Sequence, residues 1–436
     1  MRSVPRSKTA RSPGLPTVGL ALLACFSWLS FEPALPSVAR AEKAQAIERK
    51  ILAQRASIEH PPSIEHAPRA PTRGQARRGH AALASEPDTY LQVAEAGVKR
   101  AEKLWWNPRL GWYDSRLHDG ERYPLATIWD STPLFEALDA IEIAAPSASH
   151  RAAVEAFAKG AERYWDAGLR PYGGFAPYPG DRGETTAWFD DNGWWGLAFL
   201  DAYRATGVSR YLHEAQRAFA FISKAGWRSD GGGFWWDTAH PYIAGEPLAA
   251  GSLLGAQLLK LTGKQYYRTE VLEFLDWAES DFLTERRLYK RTESDSTPTP
   301  YIEGTLVEAH QVLCEVGISD ACERAAQLAN ASGERFSDRL NMGPQFDTIY
   351  LHWMLVYGSQ AGETRWRGLA EEMARDAGQH AHDAQGLYLR GWDGTPITEH
   401  QAQPNMLQTD AATLELFAWL GVAESARLEP SSPRGA

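Results

Sequence analysis

The sequence predicts an all-α fold, a toroid of six helical hairpins whose six inner and six outer helices close an (α/α)6 barrel. Three observations carry this. From Tyr90 onward, long segments place apolar residues at three- and four-residue spacing, the pattern of helices with a buried face. Turn glycines recur at Gly207, at Gly263 in Leu261-Thr262-Gly263, and at Gly317 in Glu315-Val316-Gly317, which are 56 and 54 residues apart. Six hairpins of that period fill residues 89–425, and such hairpins bury their apolar faces only by stacking on neighbours. Alternating strand patterns are scarce, and short aromatic runs are confined to the connections. An open solenoid is the alternative, but it would leave two end faces without obvious polar caps.

Along the chain, Arg2, Arg6, Lys8 and Arg11 precede an apolar run from Val18 to Phe31, and Ala39-Arg40-Ala41 offers a cleavage site. Residues 1–41 therefore read as a secretory signal peptide and the protein as exported, extracellular or periplasmic. Leu23-Ala24-Cys25 makes lipoprotein anchoring a second reading, ranked lower because Phe26 and further apolar residues follow. Residues 42–88, rich in Pro, Ala and Arg, read as a disordered linker, and 426–436 as a flexible tail. Within the domain, Trp194, Leu197, Ala198 and Asp201-Ala202 lie on a helix that ends at Gly207. The next helix begins near Ser209 and carries Tyr211, Leu212, Ala215, Ala218, Phe219 and Ile222. No run of 18 or more apolar residues occurs, so no membrane-spanning helix is expected.

Charge and cysteines exclude several functions. Of the net charge of −10, residues 1–80 carry +8 and the remainder −18. A globular part that acidic is a poor partner for nucleic acid and other polyanions. It also argues against a lyase acting on acidic sugars, which would want basic residues beside a Tyr or His base. Beyond the leader only Cys314 and Cys322 remain; export permits a disulfide across the Gly317 turn, and a buried free pair is the alternative. No metal-ligand spacing is found, the 12 His are scattered, and no cofactor motif appears.

The chemistry concentrates in Trp188-Phe189-Asp190-Asp191-Asn192-Gly193-Trp194-Trp195. Its first half is polar and turn-prone and its second half apolar and helical, which places the helix N-cap at Asp191 or Asn192. A lone Asp there would ordinarily be a cap. Two adjacent carboxylates flanked by aromatics fit glycoside hydrolysis, which needs one carboxylate at the anomeric carbon and one carboxyl to protonate the leaving oxygen. Sugars present flat apolar faces, so Trp residues in turn-like segments are candidate platforms. Trp129 and Asp130 in Ile128-Trp129-Asp130-Ser131, Trp188, Asn192, Trp235 and Trp236 are the candidate sugar contacts, with core packing the alternative for each Trp.

The Trp188–Trp195 run, Gly232-Gly233-Phe234-Trp235-Trp236 and Thr206-Gly207…Tyr211-Leu212 resemble glycoside hydrolase family 76. The resemblance runs from about Tyr90 to Leu420, and the double-Asp motif is its most specific element. It implies an (α/α)6 barrel and a retaining α-1,6-mannanase with an α-mannan polysaccharide as substrate, acting as a monomer. It also implies Asp190 as nucleophile and Asp191 as acid/base. Where the family has Tyr-Asn-Gln-Gly, this chain has Tyr301-Ile302-Glu303-Gly304, which adds Tyr301 and Glu303 to the candidate sugar contacts. Gln345-Phe346-Asp347-Thr348-Ile349 follows its counterpart loosely. A transglycosylase remodelling envelope glycan and a non-catalytic glycan-binding toroid are the competing readings; the intact Asp pair argues against the second.

Overall fold

The computed structural model describes residues 89–117, 125–182, 185–336, 340–398 and 404–428. The expected leader (1–41, with Cys25), the linker (42–88) and residues 429–436 of the expected tail lie outside the described residues. Twelve α-helices dominate what is described: α1 (Tyr90–Trp105), α2 (Ile128–Ala144), α3 (Ala148–Ala161), α4 (Phe189–Thr206), α5 (Ser209–Phe221) and α6 (Gly245–Thr262) form the first half. The second half is α7 (Gln265–Asp281), α8 (Pro300–Glu315), α9 (Ala321–Phe336), α10 (Pro344–Ala361), α11 (Arg365–Asp376) and α12 (Leu407–Leu428). α12 thus runs past the expected domain end at 425. Among the described residues no helix is long and apolar enough to cross a membrane.

The even-numbered helices form the inner ring. α2 packs on α4, α4 on α6, and so on around to α12, which packs on α2 and closes the circle. That closure settles the choice between toroid and solenoid. Each inner helix is buried on nearly every side, as α4 is from Phe189 to Ala202. The odd-numbered helices lie outside and bury one stripe, as α1 does with Ala94, Val98, Ala101 and Trp105.

Six consecutive hairpins were expected; the structure has five, each an inner helix followed by its outer partner. The sixth pair joins the chain's two ends, because α1 is an outer helix that docks on α12. The turns at Gly207, Gly263 and Gly362 are left-handed helix C-caps, a conformation costly for any residue with a Cβ. Cys314 and Cys322 are joined in a disulfide across the α8–α9 turn.

The outer-to-inner connections obey a rule of their own. Five of them fold back as a short β-ribbon in which a residue just past the outer helix pairs with an aromatic: Trp106 with Tyr113, Trp165 with Phe175, Trp227 with Phe234, Leu283 with Tyr289, and His382 with Tyr388. Two residues before each aromatic stands a left-handed residue: Gly111, Gly173, Gly232, Arg287 and Gly386. These ribbons feed the N-termini of the inner helices, so ribbons and N-termini share one face of the toroid.

Candidate active site

Each of the six inner helices carries an acid in its first turn: Asp130; Asp190 and Asp191; Glu246; Glu303; Asp347; and Asp410. The outer helices show such a residue only in α9, at Glu323. Converging helix N-termini present partial positive charge, which favours anions at this end of the ring.

The acids divide by position. The second residues of the six inner helices are Trp129, Asp190, Glu246, Tyr301, Gln345 and Gln408. On α2, Trp129, Thr132, Pro133 and Glu136 line a narrow axial cavity, so the axis-facing stripe begins at the second residue. Contacts knit these positions together around the mouth. Tyr301 Oη donates to Glu246 Oε1 at 2.8 Å, and Arg291 Nε lies 3.4 Å from the same oxygen. The rings of Trp129 and Tyr301 both pack on Phe346, with centroids 5.6 and 5.1 Å away, and Gln408 Nε2 donates to the Trp129 carbonyl at 2.7 Å. Burial, then Glu246, raises the Tyr301 phenol well above its ordinary value, and Asp190 adds to this, so Tyr301 remains a donor.

The fourth residues do structural work instead. Asn192 Oδ1 accepts the Phe175 N–H at 2.7 Å, Glu303 Oε1 that of Tyr289 at 2.8 Å, and Asp410 Oδ1 that of Tyr388 at 2.7 Å. Each thereby clamps a ribbon to the helix it feeds. Asp347 Oδ2 accepts from Gly343 N at 3.1 Å.

Several sequence expectations change here. The N-cap of α4 is Trp188, not Asp191 or Asn192. Trp188 is held extended by its bridge to Asp237, and Phe189 N donates to the Trp236 carbonyl, so the chain enters the helix at once. Asp190 and Asp191 consequently occupy the first helical turn, 5% and 1% exposed. Asn192, fully buried, spends its amide on Phe175 and on the Trp188 carbonyl and is not placed to touch a sugar. Asp130 Oδ2 accepts from Thr127 N and Ser115 Oγ, closing a capping box on α2. Glu303 is fully buried too. Burial raises its carboxyl well above the usual range although the Tyr289 N–H and Arg324 oppose this, which favours the neutral acid.

Trp129, Trp188 and Tyr301 do stand at the Asp190 end of the ring. Trp235 stacks on His240 at 5.1 Å and Trp236 on Tyr242 at 5.9 Å, both in the segment that pairs with the approach to α4. Glu246, Arg291 and Gln408 escaped the sequence reading, whereas Gln345 lies in the segment that follows its family counterpart loosely. Aligning the inner-helix starts on Asp190 would have found all but Arg291. Gly193 explains its own place in the motif: a Cβ there would lie 2.4 Å from that of Ala250, so α4 and α6 approach too closely for any side chain.

Asn192→Ala is expected to destabilise the fold by about 2 kcal/mol, because it leaves the buried Phe175 N–H without its acceptor. Urea denaturation of the two proteins side by side checks this; an unchanged midpoint would mean that Asn192 is not a clamp.

Three comparisons bear on this arrangement. The sequence model of glycosyl hydrolase family 76 matches residues 124–343. None of the curated proteins matches the chain. Among solved structures, a family 76 α-mannanase from Bacteroides thetaiotaomicron superposes with a TM-score of 0.70 at 17% identity, over 78% of this chain and 98% of that one. A family 76 mannosidase from the same species gives 0.69 at 18% identity, over 78% and 99%. An inactive variant of a Salegentibacter α-1,6-mannanase, with two consecutive aspartates replaced by asparagine and α-1,6-mannotriose bound, gives 0.62 at 15% identity, over 77% and 99%. At these identities the likeness is one of fold.

Proposed function

Because the chain belongs to glycosyl hydrolase family 76, and is on that ground a glycoside hydrolase, we propose that it cleaves α-1,6-linked mannan with retention of configuration, using Asp190 and Asp191. The observation that carries the reading is the position of this pair, the one adjacent Asp-Asp in the sequence, in the first turn of α4 at the mouth of a closed inner ring. The Salegentibacter variant described as inactive lacks two consecutive aspartates, which supports assigning the chemistry to this pair.

In this mechanism Asp190 attacks the anomeric carbon while Asp191 gives its proton to the departing glycosidic oxygen. A glycosyl ester on Asp190 results. Asp191, now ionised, takes a proton from water, which attacks from the face the leaving group vacated, opposite Asp190, breaks the ester bond and restores both groups. Tyr301, whose hydroxyl proton is held by Glu246, keeps its oxygen as an acceptor, and the Trp129 and Trp188 indoles supply apolar surfaces beside the pair.

Incubation with defined α-mannans followed by product sizing tests the proposal. Shortened oligosaccharides from α-1,6-mannan are expected. Turnover confined to other linkages, or binding without turnover, would overturn it; transfer products without net hydrolysis would replace hydrolysis by glycosyl transfer.

We also propose that the protein is exported. The leader supports this, and the Cys314–Cys322 disulfide suits an oxidising compartment. N-terminal sequencing of exported material should find a start near Glu42, and an intact Met1 would refute it.

A further inference from the structure

The axial stripe continues below the mouth. Beneath the second residues comes an apolar layer that includes Pro133, Trp194 and Ile349, and beneath that a charged one. Glu136, His352 and Glu415, the ninth residues of α2, α10 and α12, line the floor of the axial cavity. The cavity is about 20 Å³ in volume, room for one small occupant. Seven residues of helix put this layer about 10 Å below the Asp190 level.

One ligand atom from each of Glu136, Asp201 and His352 lies within 4.8 Å of the other two, and all three residues are buried. His352 Nδ1 stands 3.7 Å from Glu415 Oε1, while its Nε2, in a side chain 3% exposed, has no hydrogen-bond partner. Both carboxyl oxygens of buried Asp139 also lack one. Among the described residues, four carboxyls therefore meet with a single cation facing them, Arg204, which pairs with Asp201, and a hydrogen bond links Glu136 to Asp201. Leaving such groups unpaired in the interior costs several kcal/mol.

We propose that Glu136, Asp201 and His352, with Glu415 as a fourth donor, bind one divalent transition metal ion that pins α2, α4, α10 and α12 together at the barrel axis. Two features fit. First, the imidazole is sandwiched between the indoles of Trp353 and Trp419, with centroids 4.0 and 3.8 Å away, so its ring plane is fixed before any ion arrives. Second, a dication would relieve the crowding of four buried carboxyls around Arg204. One imidazole nitrogen with two or three carboxylate oxygens suits zinc or manganese; calcium and magnesium prefer all-oxygen shells. Ligand atoms bound at about 2.0–2.2 Å stand roughly 3–4 Å apart, so modest side-chain rotations complete the sphere. The ion is structural: the apolar layer with Trp194 separates it from Asp190 and Asp191.

The test uses the untagged full-length mature protein, produced in metal-depleted medium and in the same medium supplemented with Zn²⁺, Mn²⁺ or Ca²⁺. Elemental analysis should find about one equivalent of zinc or manganese per chain after supplementation, and that protein should melt at a higher temperature than the depleted form. Glu136→Gln and Asp201→Asn should each lose the ion, whereas exposed Glu293→Gln should keep it. Should either core variant fail to fold, anomalous diffraction from the wild-type protein at the metal edge decides, with a peak expected between Glu136, Asp201 and His352. Metal content near zero in every medium, a peak elsewhere, or full stoichiometry in a folded Glu136→Gln variant would each overturn the proposal and leave shared protons to neutralise the cluster.

Discussion

Asp190→Ala and Asp191→Ala are each expected to lower turnover on α-1,6-mannan by about two to four decades, the usual worth of a positioned nucleophile, acid or base. The losses should differ in kind. Without Asp190 no glycosyl ester forms, and added azide attacks the opposite face to give a product of inverted configuration. Without Asp191 a substrate whose leaving group needs no proton still glycosylates Asp190, and azide then yields retained product. Following product anomers by NMR separates the two. Near-normal activity in either variant would remove that residue from the mechanism, and exchanged azide outcomes would reverse the roles. Both side chains are buried, so melting curves must show each variant folded before its kinetics are read. Consecutive residues at a helix start diverge by about 100°. One carboxylate therefore lies on the axial stripe with Trp129 and Tyr301, and the other beside it, which lets a single first turn supply two different roles.

The helices were legible because two signals agree in the sequence. Outer helices such as α1 show a three-and-four apolar stripe, and inner helices end at glycines that alone tolerate the left-handed cap at Gly207 and Gly263. The pairing of α1 with α12 was not legible, since nothing local distinguishes an outer helix that precedes its partner from one that follows it. The ribbons were missed for a different reason. Each contributes one or two ladder residues, too few for alternation to register, although Gly-x-aromatic at Gly111–Tyr113, Gly173–Phe175, Gly232–Phe234 and Gly386–Tyr388 recurs in plain view.

Around the site, adjacency in sequence made the Asp pair visible, and spatial convergence hid the rest. Glu246 and Arg291 meet Tyr301 from 55 and 10 residues away, and no spacing rule joins them. Polar residues near an inner-helix start also divide by position rather than by type. Asp190 and Asn192 are two residues apart, yet one lies on the axial stripe and the other clamps Phe175. Composition alone made Asn192, Asp130 and Glu303 look like sugar contacts. Their hydrogen bonds to Phe175 N, Thr127 N and Tyr289 N are what reassign them.

Glu308→Gln is expected to stabilise the protein at pH 8 by about 4 kcal/mol and to leave its stability at pH 4 nearly unchanged. Glu308 belongs to the same ninth-residue layer as Glu136 and Glu415, on α8. Its Oε1 accepts from Gln360 Nε2 at 3.2 Å, and its buried Oε2 has no partner. Burial is the largest influence and pushes its pKa up to about 8; Glu315 adds to this, while Gln360, Arg204 and Lys260 oppose it. The native protein thus holds a proton that the unfolded chain releases near pH 4.5. A raised folded pKa means that the stabilising contribution is complete below the unfolded pKa and is lost as pH rises toward the folded one. Stability accordingly falls between about pH 4.5 and pH 8, at up to about 1.4 kcal/mol per pH unit for this one group. Glutamine matches the neutral acid in shape, keeps an oxygen for Gln360 and has no proton to lose, so Glu308's share of the decline should disappear from the variant while that of other buried acids such as Asp347 and Asp410 remains. Urea unfolding of both proteins at pH 4 and pH 8 checks the difference. Equal stability at both pH values would mean that Glu308 is ionised in the native state, with Arg204 and Lys260 outweighing burial.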